Sequence, residues 1–206
     1  MPSINNPVTV ANRSSIATPL AIQWLPQKMR VLVLVINTIG YDLMCSRITP
    51  EVTEAFINAG YDFELCSIKP IDGALLIGTN LSEAMAYAFE HGDHLIVVGA
   101  VGIAVRGIAP FLIGKFLDPS VTVIDLAGRF AVSLISGHSG GGNVLAQELE
   151  KWLGVTAVIT TGTDALGKTA CEPLISEVGL SLQFYREAIL AVNAGILRGE
   201  TITVEG

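Results

Sequence analysis

Residues 136–143, with the sequence SGHSGGGN, carry the side chains and backbone best suited to chemistry in this chain. An apolar run that predicts a strand precedes them, and a run that predicts a helix follows them. Three successive glycines, Gly140, Gly141 and Gly142, predict bare N–H groups that face an anion or a polarised carbonyl at the start of that helix. His138 adds a side chain that exchanges a proton near neutral pH. These eight residues are compatible with several different functions.

The first interpretation is a nucleophile elbow. Residues 137–141, GHSGG, match G-x-S-x-G between a predicted strand and a predicted helix, which would make Ser139 the nucleophile of an esterase. That fold places its triad histidine after the serine, and no histidine follows His138. His91 and His94 would have to serve from the other side in chain order, as triads on other folds allow. The sequence therefore disfavours a serine hydrolase without excluding one.

The second interpretation is a phosphate-binding loop. Residues 162–169, GTDALGKT, match G-x-x-x-x-G-K-[ST], with Lys168 for the phosphates and Thr169 for magnesium. Too few residues follow Thr169 for the sheet that such a loop normally begins. Asp164 would also place a carboxylate inside the phosphate nest. The sequence disfavours nucleotide binding as well.

Composition limits the class of protein. The chain has 206 residues, 50% of them hydrophobic and 15% charged, which fits one globular domain or one domain and the start of another. Its net charge of -7 and the lack of a basic run argue against nucleic acid as a partner. The mean hydropathy is +0.56, yet no apolar run reaches the roughly 18 residues that span a bilayer. We expect a cytoplasmic protein with no nucleic-acid or membrane partner.

The cysteines and histidines predict neither disulfides nor a metal site. Cys45, Cys66 and Cys171 lack C-x-x-C spacing, which indicates reduced and mostly buried thiols. His91 and His94 flank a helix-to-strand turn, and we expect both to be solvated there. We expect no protein-bound metal and no resident cofactor.

Alternating strand and helix signals predict an α/β fold, a three-layer sandwich with a mixed, partly parallel sheet and helices on both faces. Ligands of such sheets bind near the carboxyl ends of the strands, where the glycine loops lie. A tight turn at residues 125–128, D-L-A-G, joins the two strands predicted at 121–124 and 129–135. The predicted strands cover residues 30–36, 62–66, 74–77, 94–98, 121–124, 129–135 and 157–160, with a possible start of another at 201–204. The predicted helices cover residues 49–59, 80–90, 101–115, 144–153 and 182–197, and a further one begins near residue 167.

Four motifs occur in order along the second half of the chain. They are AVGIAVRGIAPFL (residues 100–112), DPSVTVID (118–125), GRFAVSLISGHSGGGN (128–143) and TTGTD (160–164). Together they resemble the N-terminal domain of the CbiG family, the cobalt-precorrin-5A hydrolases of anaerobic cobalamin biosynthesis. Shorter segments at residues 192–194 and 199–200 resemble the start of the family's middle region. Ser139 stands at a variable family position, which weakens the elbow interpretation. The resemblance covers roughly residues 74 to 206.

The resemblance implies a domain organisation. Residues 1–28, rich in Asn, Ser, Thr and Pro, are predicted to be a flexible N-terminal extension. Residues 29–180 are predicted to form the CbiG-like α/β domain, and residues 181–206 the start of the middle or linker region. We find no counterpart of the family's C-terminal domain, which we expect to come from a separate chain or to be lost.

The resemblance also implies a reaction, the opening of the δ-lactone of a corrin precursor with release of acetaldehyde. The expected ligand is the cobalt-corrin precursor, whose cobalt belongs to the substrate. A separate C-terminal-domain chain or corrin methyltransferases are the expected protein partners. The alternative is a non-catalytic module that binds the tetrapyrrole without turnover.

Lactone hydrolysis needs an activated water and donors for the developing oxyanion. We predict His138, Asn143 and Asp164 as catalytic residues. His138 either moves the proton or supports the loop, Asn143 either caps the following helix or binds a substrate amide, and Asp164 either lines the crevice or caps a helix.

The predicted substrate-binding residues are donors around the glycine loop and one cation: Gly140, Gly141, Gly142, Thr163 and Arg106. The substrate carries many carboxylates, which a guanidinium binds with two hydrogen bonds. Alternatively, Arg106 forms an ordinary ion pair with Asp118 or Asp125.

Overall fold

The computed structural model describes residues 28–172 and 186–201. The predicted N-terminal extension, apart from Lys28, lies outside these residues. So do the start of the helix predicted at 182–197 and most of the tail predicted to begin a strand.

One mixed sheet forms the centre of the described chain. Its strands are β1 (Met29–Val35), β2 (Tyr61–Ser67), β3 (Leu75–Leu76), β4 (His94–Val98), β5 (Ser120–Ile124), β6 (Phe130–Ile135) and β7 (Thr156–Val158), in the spatial order β3-β2-β1-β4-β5-β6-β7. Strands β1 to β5 are parallel, β6 is antiparallel to β5, and β7 is parallel to β6. The carboxyl ends of β6 and β7 therefore lie at the edge of the sheet that holds the amino ends of β1, β4 and β5.

Helices cover both faces of the sheet, which confirms the predicted three-layer α/β fold. They are α1 (Thr38–Arg47), α2 (Pro50–Asn58), α3 (Leu81–His91), α4 (Val101–Ile108), α5 (Gly142–Leu153), α6 (Gly162–Ala165) and α7 (Arg186–Arg198). Helices α1, α2 and α5 pack on one face of the sheet, and helices α3 and α4 pack on the other. A separate buried hydrophobic cluster lies between the sheet and the helices on each face. No helix within the described ranges is both long and apolar enough to cross a membrane.

Helix α1 was not predicted, and helix α4 is shorter than predicted. Helix α1 was missed because its sequence, TIGYDLMCSR, shows no apolar stripe. It is nonetheless capped, since Asn37 Oδ1 accepts a hydrogen bond from the Gly40 N–H at 2.9 Å. Helix α4 was predicted to reach residue 115 but ends at Ile108. A 3₁₀ turn, Ala109–Phe111, follows it, because Pro110 cannot continue the α-helical hydrogen bonding.

His94 is buried, and the prediction that it is solvated is wrong. It opens the central strand and is 1% exposed, with Nδ1 2.5 Å from Ser120 Oγ. The glycine loop lies directly over it, because a Cβ on Gly141 would be 3.3 Å from His94 Cε1. Burial lowers the pKa of His94 to about 4. His91 is exposed, as predicted, and stacks on Tyr87.

The buried His94 predicts acid sensitivity. As the pH falls, the unfolded chain protonates this histidine near pH 6.5, whereas the folded chain does so only near pH 4. The native state therefore loses stability through this window, by up to about 3 kcal/mol at its lower end. Urea unfolding from pH 7 to 4 should show this loss, and His94→Asn should remove it. Parallel pH profiles for the wild type and the variant would contradict the assignment.

Candidate functional site

Three loops meet at the edge of the sheet where β6 and β7 end. Residues 136–141 follow β6, residues 159–161 follow β7, and residues 112–119 lead into β5. Ser139 Oγ joins two of these loops by donating to the Lys115 carbonyl at 2.6 Å. A pocket of about 280 Å³ lies between them, and His138, Lys115, Thr161 and Glu172 contribute to its lining. As predicted, the glycine loop lies at the carboxyl end of its own strand. This edge, however, is opposite to the carboxyl ends of β1 to β5.

His138 lines this pocket and is paired with Asp164. The Nε2 atom of His138 is hydrogen-bonded to Asp164 Oδ2 and lies 3.2 Å from Thr163 Oγ1. A carboxylate accepts only, so this contact assigns the hydrogen to Nε2 and leaves the Nδ1 lone pair for a proton. Thr161 Oγ1 also donates to Asp164 Oδ2, at 2.5 Å. The predicted residues His138, Thr163 and Asp164 are therefore brought together, although Thr163 is buried behind the ring.

The surroundings of Asp164 favour the ionised form of its carboxyl group. Partial burial by itself would raise the pKa of this carboxyl, but the hydrogen bonds from Thr161 and His138 outweigh it and hold the pKa below its usual value. An ionised Asp164 accepts the hydrogen bond from Nε2 and so fixes the orientation of the His138 ring.

Asn143 supports this pair from within the protein. It is 5% exposed, and its Nδ2 donates to Thr161 Oγ1 at 2.8 Å and to Asp164 Oδ2 at 3.2 Å. Its Oδ1 accepts from Ser133 Oγ in β6 at 2.8 Å. Of the two alternatives for Asn143, capping of α5 is wrong, because Gly141 is the N-cap residue and adopts a left-handed φ of 73°. Asn143 instead connects β6, α5 and the loop after β7.

The N–H groups of the three glycines are not free, contrary to the prediction. Those of Gly140 and Gly142 donate to the Ser136 carbonyl at 3.0 and 3.3 Å, and that of Gly141 donates to the His138 carbonyl at 3.2 Å. The loop closes on itself in tight turns, which satisfies these donors internally. Glycine is needed at position 140 for space, since a Cβ there would lie 2.7 Å from the Ser136 Cβ.

The cation at the pocket is Lys115, not the predicted Arg106. Arg106 Nη1 donates to the Gly102 carbonyl of its own helix at 3.4 Å, and Arg106 is not among the residues that line the pocket. The alternative ion pairs are also wrong. Asp125 pairs with Arg129 at 3.1 Å, and the Asp118 carboxylate accepts from two backbone N–H groups of its own loop.

The structure supports neither the phosphate-binding loop nor the nucleophile elbow. Lys168 Nζ donates to the carbonyls of Ile196 and Leu197 at 2.6 and 3.1 Å, so it caps the end of α7. Part of the supposed phosphate loop is the short helix α6. Ser139 donates to a backbone carbonyl, so no histidine of the described chain activates it.

Sequence reasoning missed Glu172, although it lies against His138. Its side chain is 2% exposed, and its Oε1 atom lies 3.8 Å from His138 Nδ1 and 3.9 Å from Lys115 Nζ. No local pattern marks Glu172 or Lys115, because each reaches the pocket only through the packing of separate loops. Asn193, within a segment already linked to the middle region, holds the other oxygen of Glu172 at 2.6 Å.

Comparisons with known proteins identify a matching family model and related proteins. Residues 83–164 match the family model described as Cobalamin synthesis G N-terminal. The chain is 43% identical over 106 residues to a cobalt-precorrin-5A hydrolase of Salmonella typhimurium, covering 52% of this chain and 30% of that protein. It is 37% identical over 116 residues to a cobalt-precorrin-5A hydrolase of Priestia megaterium, covering 56% of this chain and 31% of that protein. The alignments therefore span less than a third of these relatives.

A solved structure shares the fold. It is that of a cobalamin biosynthesis protein G homolog from Sulfolobus solfataricus, with a TM-score of 0.52 and 19% sequence identity. The match covers 87% of this chain and 50% of that one.

The support by Asn143 predicts a large loss of stability on truncation. Asn143→Ala leaves the buried Ser133 hydroxyl without an acceptor and removes one donor from Asp164. An unsatisfied buried polar group costs about 1–3 kcal/mol, which urea unfolding should detect. Asn58→Ala, at an exposed site near the end of α2, is the matched control and should change stability by less than about 0.5 kcal/mol. Equal effects of the two changes would contradict the assigned role.

Proposed function

We propose that this chain, which belongs to the CbiG family through its N-terminal domain, opens the δ-lactone of cobalt-precorrin-5A and releases acetaldehyde. The observation that supports this best is the Asp164–His138 pair, because Asp164 holds Nε2 and the ring lines a pocket formed largely by two of the family's motifs. An imidazole held in one tautomer by a carboxylate is suited to take a proton from water and return it.

The proposed first step is hydrolysis of the lactone. His138 Nδ1 removes a proton from water as the water oxygen bonds to the acyl carbon. The acyl–oxygen bond then breaks, and His138 returns the proton to the departing alkoxide, which gives a carboxylic acid and an alcohol. Asp164 stabilises the imidazolium between these two transfers.

The second step releases the two-carbon fragment. The hydroxyl of that fragment loses its proton and becomes the carbonyl of acetaldehyde, while its bond to the macrocycle breaks. The bonding electrons pass to the macrocycle, which takes up a proton. We assign the acceptance of the hydroxyl proton to His138.

The size of the pocket limits how the substrate binds. Its volume of about 280 Å³ is just under the roughly 300–1,000 Å³ of typical small-molecule sites. A tetrapyrrole with its carboxylate arms does not fit inside, so we expect the lactone edge to enter and the ring to lie against the rim. Exposed apolar side chains of the loop before β5, Leu112, Ile113 and Leu117, offer a surface for the ring face.

His138 is expected to be essential for turnover. His138→Gln removes the proton acceptor, and release of acetaldehyde from the lactone substrate should fall at least tenfold. His91→Gln, at an exposed histidine that does not line the pocket, is the matched control and should retain the wild-type rate. Wild-type protein that binds the lactone yet leaves it intact would sink the proposal.

Lys115 is expected to bind carboxylates of the substrate. Its side chain is 43% exposed at the pocket, where an ammonium attracts anions and added salt weakens the attraction. Lys115→Gln should raise KM several-fold and reduce the dependence of KM on salt. The control is Lys151→Gln, on the exposed face of α5, where the lysine pairs with Glu148 at 2.8 Å. An unchanged KM in the Lys115 variant would contradict this role.

The alternative function is a tetrapyrrole-binding module that needs a further domain for catalysis. Because the pocket admits only an edge of the corrin ring, binding without turnover is the second function to test. It predicts a shift in the visible spectrum of the cobalt-corrin substrate on binding, with no acetaldehyde formed. Addition of a separately produced C-terminal domain of a relative should then restore turnover.

A further inference from the structure

We propose that Glu172 is a positioning residue for His138, holding the ring from the side opposite to Asp164 and favouring its protonated form. Asp164 contacts Nε2, and Glu172 Oε1 faces Nδ1 at 3.8 Å. Two carboxylates therefore bracket one imidazole. The consequence for catalysis rests on the proposed function, whereas the contact itself can be tested without it.

Burial makes Glu172 effective in this role. Its side chain is 2% exposed, so water screens its charge poorly. Oε2 accepts from Asn193 Nδ2 at 2.6 Å, whereas Oε1 has no hydrogen-bond donor in the described part of the chain. A buried carboxylate oxygen without a donor is unfavourable, and a nearby proton donor relieves it.

Two groups are placed to supply that donor. Lys115 Nζ lies 3.9 Å from Oε1 and His138 Nδ1 lies 3.8 Å from it, both beyond hydrogen-bond distance. Neutral His138, with its hydrogen on Nε2, offers Oε1 no hydrogen. Once Nδ1 takes a proton from water, the new N–H can turn to Oε1 with a small movement of the ring. Glu172 therefore acts through His138 at the stage when the imidazole is charged.

The charged groups that face the His138 ring in the described chain are few. They are Asp164 from α6, Glu172, and Lys115 from the loop before β5. Lys115 opposes the effect of the two carboxylates and is half-exposed, so solvent weakens its influence more than that of buried Glu172.

The matched control is a second carboxylate–histidine pair in the same protein. Glu90 Oε2 lies 4.0 Å from His91 Nδ1, but its side chain is 78% exposed. The distance is close to that of the Glu172–His138 pair, but the Glu90 side chain is exposed and His91 Nδ1 also lies 3.0 Å from the Tyr87 carbonyl oxygen. Solvent screening should therefore make Glu90→Gln nearly silent, whereas Glu172→Gln should not be.

The test is an NMR titration of the histidine ring protons in the full chain without substrate. Glu172→Gln keeps the shape of the side chain and an oxygen for Asn193. In this variant the ratio of protonated to neutral His138 at pH 6.5 should fall at least threefold. In Glu90→Gln, the ratio of protonated to neutral His91 should change by less than half as much as the ratio for His138 does in Glu172→Gln. A ratio for His138 that does not move in a folded Glu172→Gln variant would overturn the proposal.

A second variant covers the case in which Glu172→Gln does not fold. Asn193→Ala leaves the charge of Glu172 in place but removes the donor that holds its Oε2 atom. The ratio for His138 should then change in either direction, because the carboxylate turns. An unchanged ratio in this variant would likewise contradict the proposal.

Kinetics with the lactone substrate test the role of Glu172 separately from the proposed hydrolase function. Glu172→Gln should lower kcat at least tenfold with KM within twofold, and Glu172→Asp should recover part of the rate because the charge remains. If the titration changes as expected but the wild type forms no acetaldehyde, the role of Glu172 stands and the proposed hydrolase function fails. If kcat is unchanged although the titration has shifted, Glu172 does not position His138 for this reaction.

Discussion

The antiparallel pairing of β6 with β5 is the constraint on which the rest of the site depends. Five parallel strands direct their carboxyl ends to one edge of the sheet, and a sixth parallel strand would have sent the glycine loop there as well. Because the chain turns back after Ile124 through the Asp125 turn, β6 and its parallel neighbour β7 end at the opposite edge. The loops of both strands and the loop before β5 therefore converge on one pocket.

The hydrogen bonds of Asn143 hold these converging elements in fixed positions relative to one another. One buried amide bonds to Ser133 in β6, to Thr161 after β7 and to Asp164 in α6, so three separate elements share its hydrogen bonds. The absence of a side chain at Gly137 is part of the same arrangement, since a Cβ there would lie 2.5 Å from Asn143 Oδ1. Gly137 thus leaves room for the amide, and the N–H groups of Gly140, Gly141 and Gly142 are used within the loop.

The balance of charge explains why a histidine is suited to this pocket. Asp164 and Glu172 place two carboxylates on either side of the ring, and Lys115 supplies one ammonium at the rim. The site therefore combines two negative groups and one positive group around a single imidazole. Under the proposed function, Lys115 attracts the carboxylates of the substrate, and the two carboxylates bear on the proposed proton transfer by His138.

Much of the fold and part of the site followed from the sequence. Apolar periodicity and local caps lie within a few neighbouring residues, so they determined most strands, helices such as α3 and α5, and the three-layer class. His138, Asp164 and Thr163 were found because they lie in short motifs. Helix α1 was missed because its residues show no such period. Only the tertiary structure decided that the glycine N–H groups are occupied, that Asn143 is a buried connector, and that Lys115 and Glu172 replace Arg106 as the charges near His138. Those properties depend on contacts between residues far apart in the chain, which strand direction and packing create and local patterns do not encode.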